Sequence, residues 1–230
     1  MPMKLITVSG PPSAGKTSVL IRIIEQLGKD KAGVAKFDCL STSDADRFGE
    51  HQIHSVVGLS GNLCPDHFFV SNIEECVAWG LKNSFEFLVI ESAGLCNRCS
   101  PHLREFLAVC VIDNLSGINT PHKIGPMLRY ADLIVITKGD IVSQAEREVF
   151  AFKVKMANPK ADILFLNGIT GQGSFDAAEY FKKGKSLLSS NMQDCRLRFT
   201  MPAALCSYCL GETRVGENFQ KGNIKKMKIG

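Results

Sequence analysis

The sequence predicts an α/β protein with a doubly wound, mostly parallel sheet and a small C-terminal extension. Short runs of continuously apolar residues alternate with helix-like segments, as expected when helices cover both faces of a parallel sheet. The first of these runs leads directly into a glycine-rich segment with the sequence GPPSAGKT. With 230 residues and 45% hydrophobic content, the chain is long enough for one α/β domain with a buried core.

The elements are predicted in the following order. Strands are expected at residues 5–9, 33–37, 87–90, 107–112, 133–136 and 162–166. Helices are expected at residues 16–27, 73–81, 142–156 and 175–188. The stretch from residue 38 to residue 73 is polar, rich in Ser, Gly and Asp, and we assign only its end to a helix. The alternation stops near residue 189, so residues 1–189 are predicted to form the nucleotide-binding domain and residues 190–230 a basic, Cys-containing extension.

The glycine-rich segment at residues 10–17 is the most specific motif. Its pattern G-x-x-x-x-G-K-T, between a strand and a helix, is that of the phosphate-binding loop, or P-loop, of nucleoside triphosphatases. The glycines let backbone N–H groups turn toward phosphate oxygens, and the following helix directs its positive end at the same anion. Lys16 is expected to contact the outer phosphates and stabilise charge during hydrolysis, and Thr17 to hold Mg2+. The sequence therefore predicts a P-loop NTPase.

Two acidic residues lie where strands next to the P-loop end. Asp38 follows the second strand and Glu91 follows the third. Either carboxylate can hold Mg2+, directly or through water, or position the attacking water. The predicted catalytic residues are Lys16, Asp38 and Glu91, and the predicted magnesium ligands are Thr17, Asp38 and Glu91. Asp44 and Asp46 are weaker candidates for sensing the nucleotide.

A second nucleotide motif, Thr137-Lys138-Gly139-Asp140, follows the fifth strand. In P-loop GTPases such an element reads guanine, because its Asp accepts hydrogen bonds from N1–H and the 2-amino group. Adenine lacks both donors and would leave the Asp unpaired, so GTP is favoured over ATP. Asn167 and Gly168 lie where a last base-contacting loop is expected. The predicted nucleotide-binding residues are Gly10, Pro12, Ser13, Ala14, Gly15, Lys16, Thr17, Ser18, Thr137, Lys138, Asp140, Asn167 and Gly168.

Nine cysteines are many for a chain of this size, and several are grouped. In a reducing compartment, grouped thiols indicate metal or redox chemistry rather than structural disulfides. Thiolate and imidazole ligands suit Ni2+, Zn2+ or Cu+. Cys96-x-x-Cys99 begins a few residues after Glu91, so a metal held there would be coupled to the phosphate site. The predicted metal ligands are Cys64, His67, Cys96 and Cys99, and a candidate second metal or cluster site is Cys206 and Cys209.

These motifs resemble the nickel metallochaperone GTPases of hydrogenase and urease maturation (the HypB and UreG types), which belong to the SIMIBI class of P-loop GTPases. The resemblance covers residues 4–181. It rests on the P-loop, residues 43–47 after Asp38, Cys64-Pro65-Asp66-His67, Glu91-Ser92-Ala93-Gly94, the Thr137–Asp140 motif and residues 169–173. It implies GTP hydrolysis with Mg2+, nucleotide-dependent formation of a homodimer, and a metal held between protomers for a client metalloenzyme or accessory protein. Cys64 and His67 match the family's first metal motif, and Cys99 best matches the hydrogenase-type cysteine.

The chain also departs from the pattern of that family. Asp66 is inserted into the Cys-Pro-His triplet of the urease type, and Thr137 replaces the usual Asn. Two cysteines follow Glu91 where the family has at most one, and the C-terminal Cys206-x-x-Cys209 lies outside the family core. Two C-x-x-C pairs could complete a zinc site or a [4Fe–4S] cluster. The alternative function is therefore an iron–sulfur P-loop NTPase that donates electrons or clusters during metalloenzyme maturation. A small-molecule kinase with a zinc-bound tail and a metal-storage module are further alternatives.

The composition excludes several other classes of function. The net charge is only +4, and much of it comes from Lys221, Lys225, Lys226 and Lys228 near the C-terminus. Aromatic and basic residues do not alternate as they do on a nucleic-acid-binding surface, so no nucleic-acid partner is expected. No apolar run approaches the roughly 18 residues that cross a membrane. We expect a cytoplasmic protein without a membrane partner.

Overall fold

The computed structural model describes residues 2–187, 192–200, 211–220 and 224–229. Its centre is an eight-stranded sheet in which seven strands run parallel in the order β3-β2-β4-β1-β5-β6-β7, and β8 pairs antiparallel with the start of β1. The strands are β1 (Met3–Ser9), β2 (Ala32–Asp38), β3 (His54–Leu59), β4 (Phe87–Glu91), β5 (Leu107–Asp113), β6 (Leu133–Thr137), β7 (Asp162–Phe165) and β8 (Ser186–Leu187). The helices are α1 (Lys16–Leu27), α2 (Asp44–Glu50), α3 (Pro65–Lys82), α4 (Thr120–Lys123), α5 (Pro126–Arg129), α6 (Gln144–Ala157) and α7 (Ser174–Lys182).

Helices cover both faces of this sheet. Successive residues of a strand point to opposite faces, so Ile6 packs with α1 and α7 while its neighbour Leu5 packs with α3. A third core cluster joins α5, α6 and Ile124, the residue after α4, to β5 and β6. The central strands are buried on both sides, which is why their sequences are continuously apolar. The predicted α/β class and doubly wound, mostly parallel sheet are confirmed.

The prediction differs from the structure mainly between residues 38 and 73. This polar stretch contains α2, β3 and the first half of α3, whereas only residues 73–81 were expected to be helical. Strand β3 lies at the sheet edge and is only partly buried, so it lacks an apolar run. The first turns of α3 are buried on every side and therefore show no amphipathic period. The last predicted helix ends at Lys182, and the chain then forms β8.

The described parts of residues 190–230 pack against the face of the sheet that α3 covers. Met192, Cys195, Leu197 and Val215 are buried in the same apolar cluster as α3. Leu197 forms an antiparallel bridge with Leu103, in the loop before β5. The extension therefore contributes to the core that supports this loop.

Polar contacts also attach the extension to the rest of the protein. Arg198 makes a two-pronged ion pair with Asp132 at 2.6 and 2.7 Å. Lys226 pairs with Glu75 on α3 at 2.6 Å and with Glu217 at 2.9 Å. Among the residues that the structure describes, no helix is long and apolar enough to cross a membrane.

Candidate nucleotide site and thiol pair

The P-loop follows β1 without a gap and leads into α1, as predicted. Gly10 has φ +145°, and a Cβ atom there would lie 2.0 Å from the Val111 carbonyl oxygen. Gly94, in the loop after β4, has φ +71°, and its Cβ would lie 1.7 Å from the carbonyl oxygen of Gly10. Only glycine fits at either position. The loop after Glu91 is therefore packed directly on the P-loop backbone.

The Lys16 side chain lies across the P-loop. Its ammonium donates hydrogen bonds to the carbonyl oxygens of Gly10 at 2.9 Å, Pro11 at 3.0 Å and Ala93 at 3.2 Å. Burial lowers the pKa of Lys16, and the nearby Glu91 carboxylate opposes that shift. Three neutral carbonyl oxygens therefore hold the ammonium beside the P-loop. A charged phosphate oxygen would be a stronger hydrogen-bond acceptor for it.

Glu91 and Thr17 meet as the sequence predicts. The Thr17 hydroxyl donates to Glu91 Oε1 at 3.2 Å, and Glu91 is fully buried. Burial raises the pKa of Glu91, while Lys36 and Lys16 act in the opposite direction. Asp38 lies farther out, where its carboxylate accepts the Cys39 N–H at 2.8 Å. A hydroxyl beside carboxylates is the hard oxygen chemistry that Mg2+ takes, so these residues fit the ion.

Three residues that were not predicted as ligands or catalytic groups complete this site. Lys36, in β2, places its ammonium 2.6 Å from Glu91 Oε1 and 2.9 Å from Asp44 Oδ2. Asp44 is therefore closer to the Lys36 ammonium than Asp38, whose carboxylate lies 3.9 Å from it. Arg47 donates a hydrogen bond to the Ser18 hydroxyl at 2.8 Å. With Lys36 and Asp44, it lines a cavity of about 360 Å³ beside the P-loop. A lysine within an otherwise apolar buried strand was the signal in the sequence that could have revealed Lys36.

The ion pairs set the pKa values of these groups. Burial alone would lower the pKa of Lys36, but its contacts with Glu91 and Asp44 outweigh burial and raise it. Burial would raise the pKa of Asp44, but the hydrogen bond and charge of Lys36 lower it. The lysine is therefore charged, and it neutralises the carboxylates that surround it.

The predicted base-reading motif borders the P-loop. Thr137 Oγ1 donates to the Ala14 carbonyl oxygen at 2.7 Å, and Lys138 Nζ donates to the Ser13 carbonyl oxygen at 2.9 Å. Asp140 is exposed and lines a polar cavity of about 290 Å³. The motif is thus joined to the phosphate site through two backbone contacts.

The last predicted nucleotide segment forms the far wall of that cavity. Asn167 lines it, and its Oδ1 accepts the N–H groups of Ile169 and Thr170 at 2.8 and 3.0 Å. Gly168 packs on α1, where a Cβ would stand 2.8 Å from the Ser18 Cβ. The remaining predicted P-loop residues, Pro12, Ser13 and Gly15, line the phosphate cavity.

The predicted metal ligands are only partly brought together. Cys64 is the N-cap of α3, and its thiol shares a hydrogen bond with the Cys99 thiol. That bond lowers the pKa of Cys64 and raises the pKa of Cys99, so Cys64 ionises first. Cys96 is half-buried in the same loop. The N-terminus of a helix beside a thiol also favours the thiolate.

His67 lies in the first turn of α3, fully buried, and burial lowers its pKa. Across the described ranges, no group of three or more His, Cys, Asp or Glu side chains is arranged to hold a metal ion. Cys206 and Cys209 lie outside the described residues. Of the predicted metal ligands, the structure thus brings Cys64 and Cys99 together, and we call these two residues the thiol pair.

A short polar link connects the phosphate site to the thiol pair. Ser92, directly after Glu91, donates to Asp66 Oδ1 at 2.6 Å. Asp66 is buried in the first turn of α3, two residues after Cys64, and burial raises its pKa. Asp66 was noted in the sequence only as an insertion. In the structure it is the residue that joins the two sites.

Comparisons with known proteins agree with this geometry. Residues 4–165 match the model of the CobW/HypB/UreG nucleotide-binding domain. An uncharacterized protein of Methanocaldococcus jannaschii, MJ0120, is 46% identical over 227 residues, which cover 98% of this chain and 96% of that protein. The urease accessory protein UreG of Haloquadratum walsbyi is 28% identical and covers 77% of this chain and 94% of its own length.

Solved structures show the same fold. The hydrogenase maturation factor HypB of Archaeoglobus fulgidus has a TM-score of 0.60 at 22% identity, over 78% of this chain and 89% of that one. HypB of Helicobacter pylori, solved in complex with nickel, has a TM-score of 0.60 at 18% identity, over 79% of this chain and 86% of that one. The chain therefore belongs to the CobW/HypB/UreG family of P-loop GTPases.

Proposed function

We propose that this chain is a GTP-hydrolysing metallochaperone that binds a transition metal and delivers it, in a nucleotide-dependent way, to a client metalloenzyme. Nickel is the metal we favour, because a similar HypB was solved with nickel and a similar UreG is a urease accessory protein. Zn2+ is the second choice for a thiol-containing site. The family match supports the nucleotide part of this proposal.

The observation that carries the proposal is the short path between the two sites. Glu91 contacts Thr17 of the P-loop, the next residue holds Asp66, and eight residues beyond Glu91 the same loop presents Cys99 to Cys64. A nucleotide that moved Glu91 would move the loop that carries half of the thiol pair. When two sites share one movable element, binding at one site can change the binding free energy at the other, usually by about 1–3 kcal/mol.

The residues of the phosphate site have separate parts in hydrolysis. Lys16 and the P-loop backbone stabilise charge on the phosphates, and Asp140 selects guanine. Thr17 and Glu91 would hold Mg2+, which when bound neutralises phosphate charge, and Asp44 or Asp38 assists them. We also propose that Asp38 can orient the attacking water.

The thiol pair supplies two metal donors, whereas Ni2+ and Zn2+ thiolate sites commonly have four. A homodimer that placed two thiol pairs against each other would provide four thiolates. His67 and Cys96 lie in the same two segments and are the further candidates. This arrangement would make metal binding depend on dimer formation, and we propose that nucleotide in turn controls dimer formation.

The test is a metal titration under different nucleotide states. Ni2+ and Zn2+ affinities are measured by calorimetry with GDP and with a non-hydrolysable GTP analogue. We expect the affinity to differ between the two states, and Cys64→Ala to lose most metal binding while it still hydrolyses GTP. Cys76→Ala, which removes a buried thiol from the same helix, is the matched control. Equal metal affinity and stoichiometry in Cys64→Ala would refute the metal-site assignment.

A second measurement separates the proposal from the iron–sulfur alternative. Protein purified without oxygen is assayed for iron, acid-labile sulfide and visible absorption near ~400 nm, as expected of cysteine-bound clusters. Matching iron and sulfide would replace the metallochaperone function with cluster transfer. Colourless protein that binds about one Ni2+ or Zn2+ per dimer supports the proposal.

A further inference from the structure

The phosphate site contains a buried lysine where a divalent cation would be expected. Lys36 is 4% exposed and lies on β2, which pairs with the edge strand β3 on one side and with β4 on the other. Its ammonium contacts Glu91 at 2.6 Å and Asp44 at 2.9 Å, and Glu91 accepts the hydroxyl of Thr17. These are the oxygen donors that fit Mg2+ in this site. The ammonium therefore lies between two of the carboxylates that the ion would use.

The charges explain why a cation is needed there without nucleotide. Glu91 is completely buried, and Asp44 is largely buried. Two carboxylates this close would repel each other and lose hydration, so an unneutralised pair would be costly. A lysine ammonium is a compact charge on a flexible stem of four carbons, which lets it enter and leave such a position without moving the backbone.

The ammonium also has another partner nearby. Asp38 ends the same strand, and its carboxylate is 3.9 Å from Lys36 Nζ. Asp38 is more exposed than Glu91 and Asp44, so it is less in need of a permanent counter-ion. Because this distance exceeds a hydrogen bond by only about 1 Å, a flexible lysine stem could bring the ammonium to Asp38. Asp38 thus offers the same ammonium a further carboxylate partner.

We propose that Lys36 is a built-in cation that occupies the magnesium position of the nucleotide-free protein and moves toward Asp38 when Mg2+ enters. Lys36 is then a positioning residue that competes with the ion for Glu91 and Asp44. Asp38 acts by accepting the displaced ammonium. The inference rests on the proposed nucleotide site, but it requires neither hydrolysis nor a transition metal in the thiol pair.

The experiment measures Mn2+, as a probe for Mg2+, binding to nucleotide-free protein by electron paramagnetic resonance at constant pH. Loss of the competing charge in Lys36→Met and Lys36→Gln is expected to tighten Mn2+ binding by about tenfold or more, since charges within 4 Å interact strongly at a partly buried site. Lys31→Met, which removes an exposed lysine just before the same strand, is the control for net charge. Affinities equal to or weaker than wild type in both Lys36 variants would overturn the proposal.

A double-mutant cycle tests Asp38 and does not depend on the folding of the Lys36 variants alone. Asp38→Asn keeps the buried Lys36–Glu91–Asp44 contacts, so it is expected to fold and to bind Mn2+ several-fold more weakly than wild type. Combined with Lys36→Met, the same change is expected to have no effect. An unchanged affinity in Asp38→Asn would contradict the second position of the ammonium. An equal loss of Mn2+ affinity from Asp38→Asn with and without Lys36 would show that Asp38 is a direct ligand of the ion. That result would also overturn the proposed role of Asp38 as the acceptor of the displaced ammonium.

These outcomes are distinct from failure of the proposed function. Mn2+ affinities can follow the expected pattern in a protein that hydrolyses no GTP or delivers no metal. Conversely, GTP-dependent metal release with unaltered Mn2+ binding in the Lys36 variants would leave the metallochaperone function intact and remove this inference alone.

Discussion

The phosphate site and the thiol pair are built in different ways. The backbone that would bind phosphate is one continuous segment, from Gly10 to Thr17, and its shape follows from its glycines and from the helix behind it. The thiol pair uses Cys64 and Cys99, 35 positions apart, which meet only because α3 and the loop after β4 pack together. A phosphate-binding backbone made by one segment has its shape as soon as that segment folds. A site made by two segments can open and close, as a site that loads and releases a metal requires.

The two sites are nevertheless supported by shared structure. The loop from Ser92 to Phe106 leaves the phosphate site, carries Cys99 and returns to the sheet at β5. His102, within this loop, bonds Thr7 and Ser9 of β1 and the Met127 carbonyl oxygen. Leu103 pairs with the C-terminal extension. A conformational change in either site is therefore expected to alter the other site through this loop.

The largest expected effect breaks the phosphate site alone. Lys16→Ala removes the charged group that stabilises the transferring phosphate, so GTP hydrolysis should fall by at least about 100-fold, as for loss of one strong oxyanion donor. Turnover is measured with saturating Mg2+ and GTP. Lys153→Ala, on the outer surface of α6, is the control. Activity of Lys16→Ala within a few-fold of wild type would mean that Lys16 is not the catalytic cation.

The next effect concerns the loop that the sites share. Burial lowers the pKa of His102 to about 4, so the folded protein keeps it neutral, whereas the unfolded chain takes up a proton near the ordinary value of 6.5. This contribution to stability is complete above about pH 6.5 and is lost as the pH falls toward 4. It amounts to at most about 3 kcal/mol.

Urea unfolding at a series of pH values measures that contribution. The free energy of unfolding should decrease between pH 6.5 and 4 in the wild type and should vary less in His102→Asn. His122→Asn, outside the shared loop, should retain the wild-type slope. A slope unchanged by His102→Asn would show that other groups cause the acid sensitivity.

A smaller effect is expected at Asp140, the residue assigned to guanine recognition. Asp140→Asn replaces an acceptor with an amide, so guanine nucleotides should bind more weakly by about 2 kcal/mol, roughly 30-fold. The amide can donate to the carbonyl at C2 of xanthine, so xanthosine nucleotides should gain affinity. Fluorescent nucleotide titration measures both changes, with Asp176→Asn in the same cavity as control. An unaltered GDP affinity in Asp140→Asn would show that Asp140 does not recognise the base.

The smallest effect tests the link between the regions. Ser92→Ala removes the hydrogen bond to Asp66, so the change in metal affinity between GDP and the GTP analogue should shrink several-fold, or by about 1 kcal/mol. Metal affinity without nucleotide should stay within about twofold of wild type. Ser71→Ala, whose hydroxyl bonds within α3, is the matched control. Full coupling in Ser92→Ala would place the link elsewhere in the loop.

Much of the fold could be predicted because its signals are local. The buried parallel strands are continuously apolar, and α1 begins and ends at the predicted residues, Lys16 and Leu27. The edge strand β3 and the first half of α3 were not predicted, because partial burial in one case and complete burial in the other erase the expected periodicity. The buried His102 gave no motif, since its partners come from two other segments, β1 and α5.

By itself, the sequence determined the P-loop, the class of sheet and the strand ends where acidic residues lie, because these depend on neighbouring residues and on simple periodicity. The tertiary structure decided which groups meet: Lys36 with Glu91 and Asp44, Cys64 with Cys99, and Ser92 with Asp66. Each of these contacts joins residues from different elements. Their distances depend on how helices and loops pack around the sheet, which no short stretch of sequence encodes.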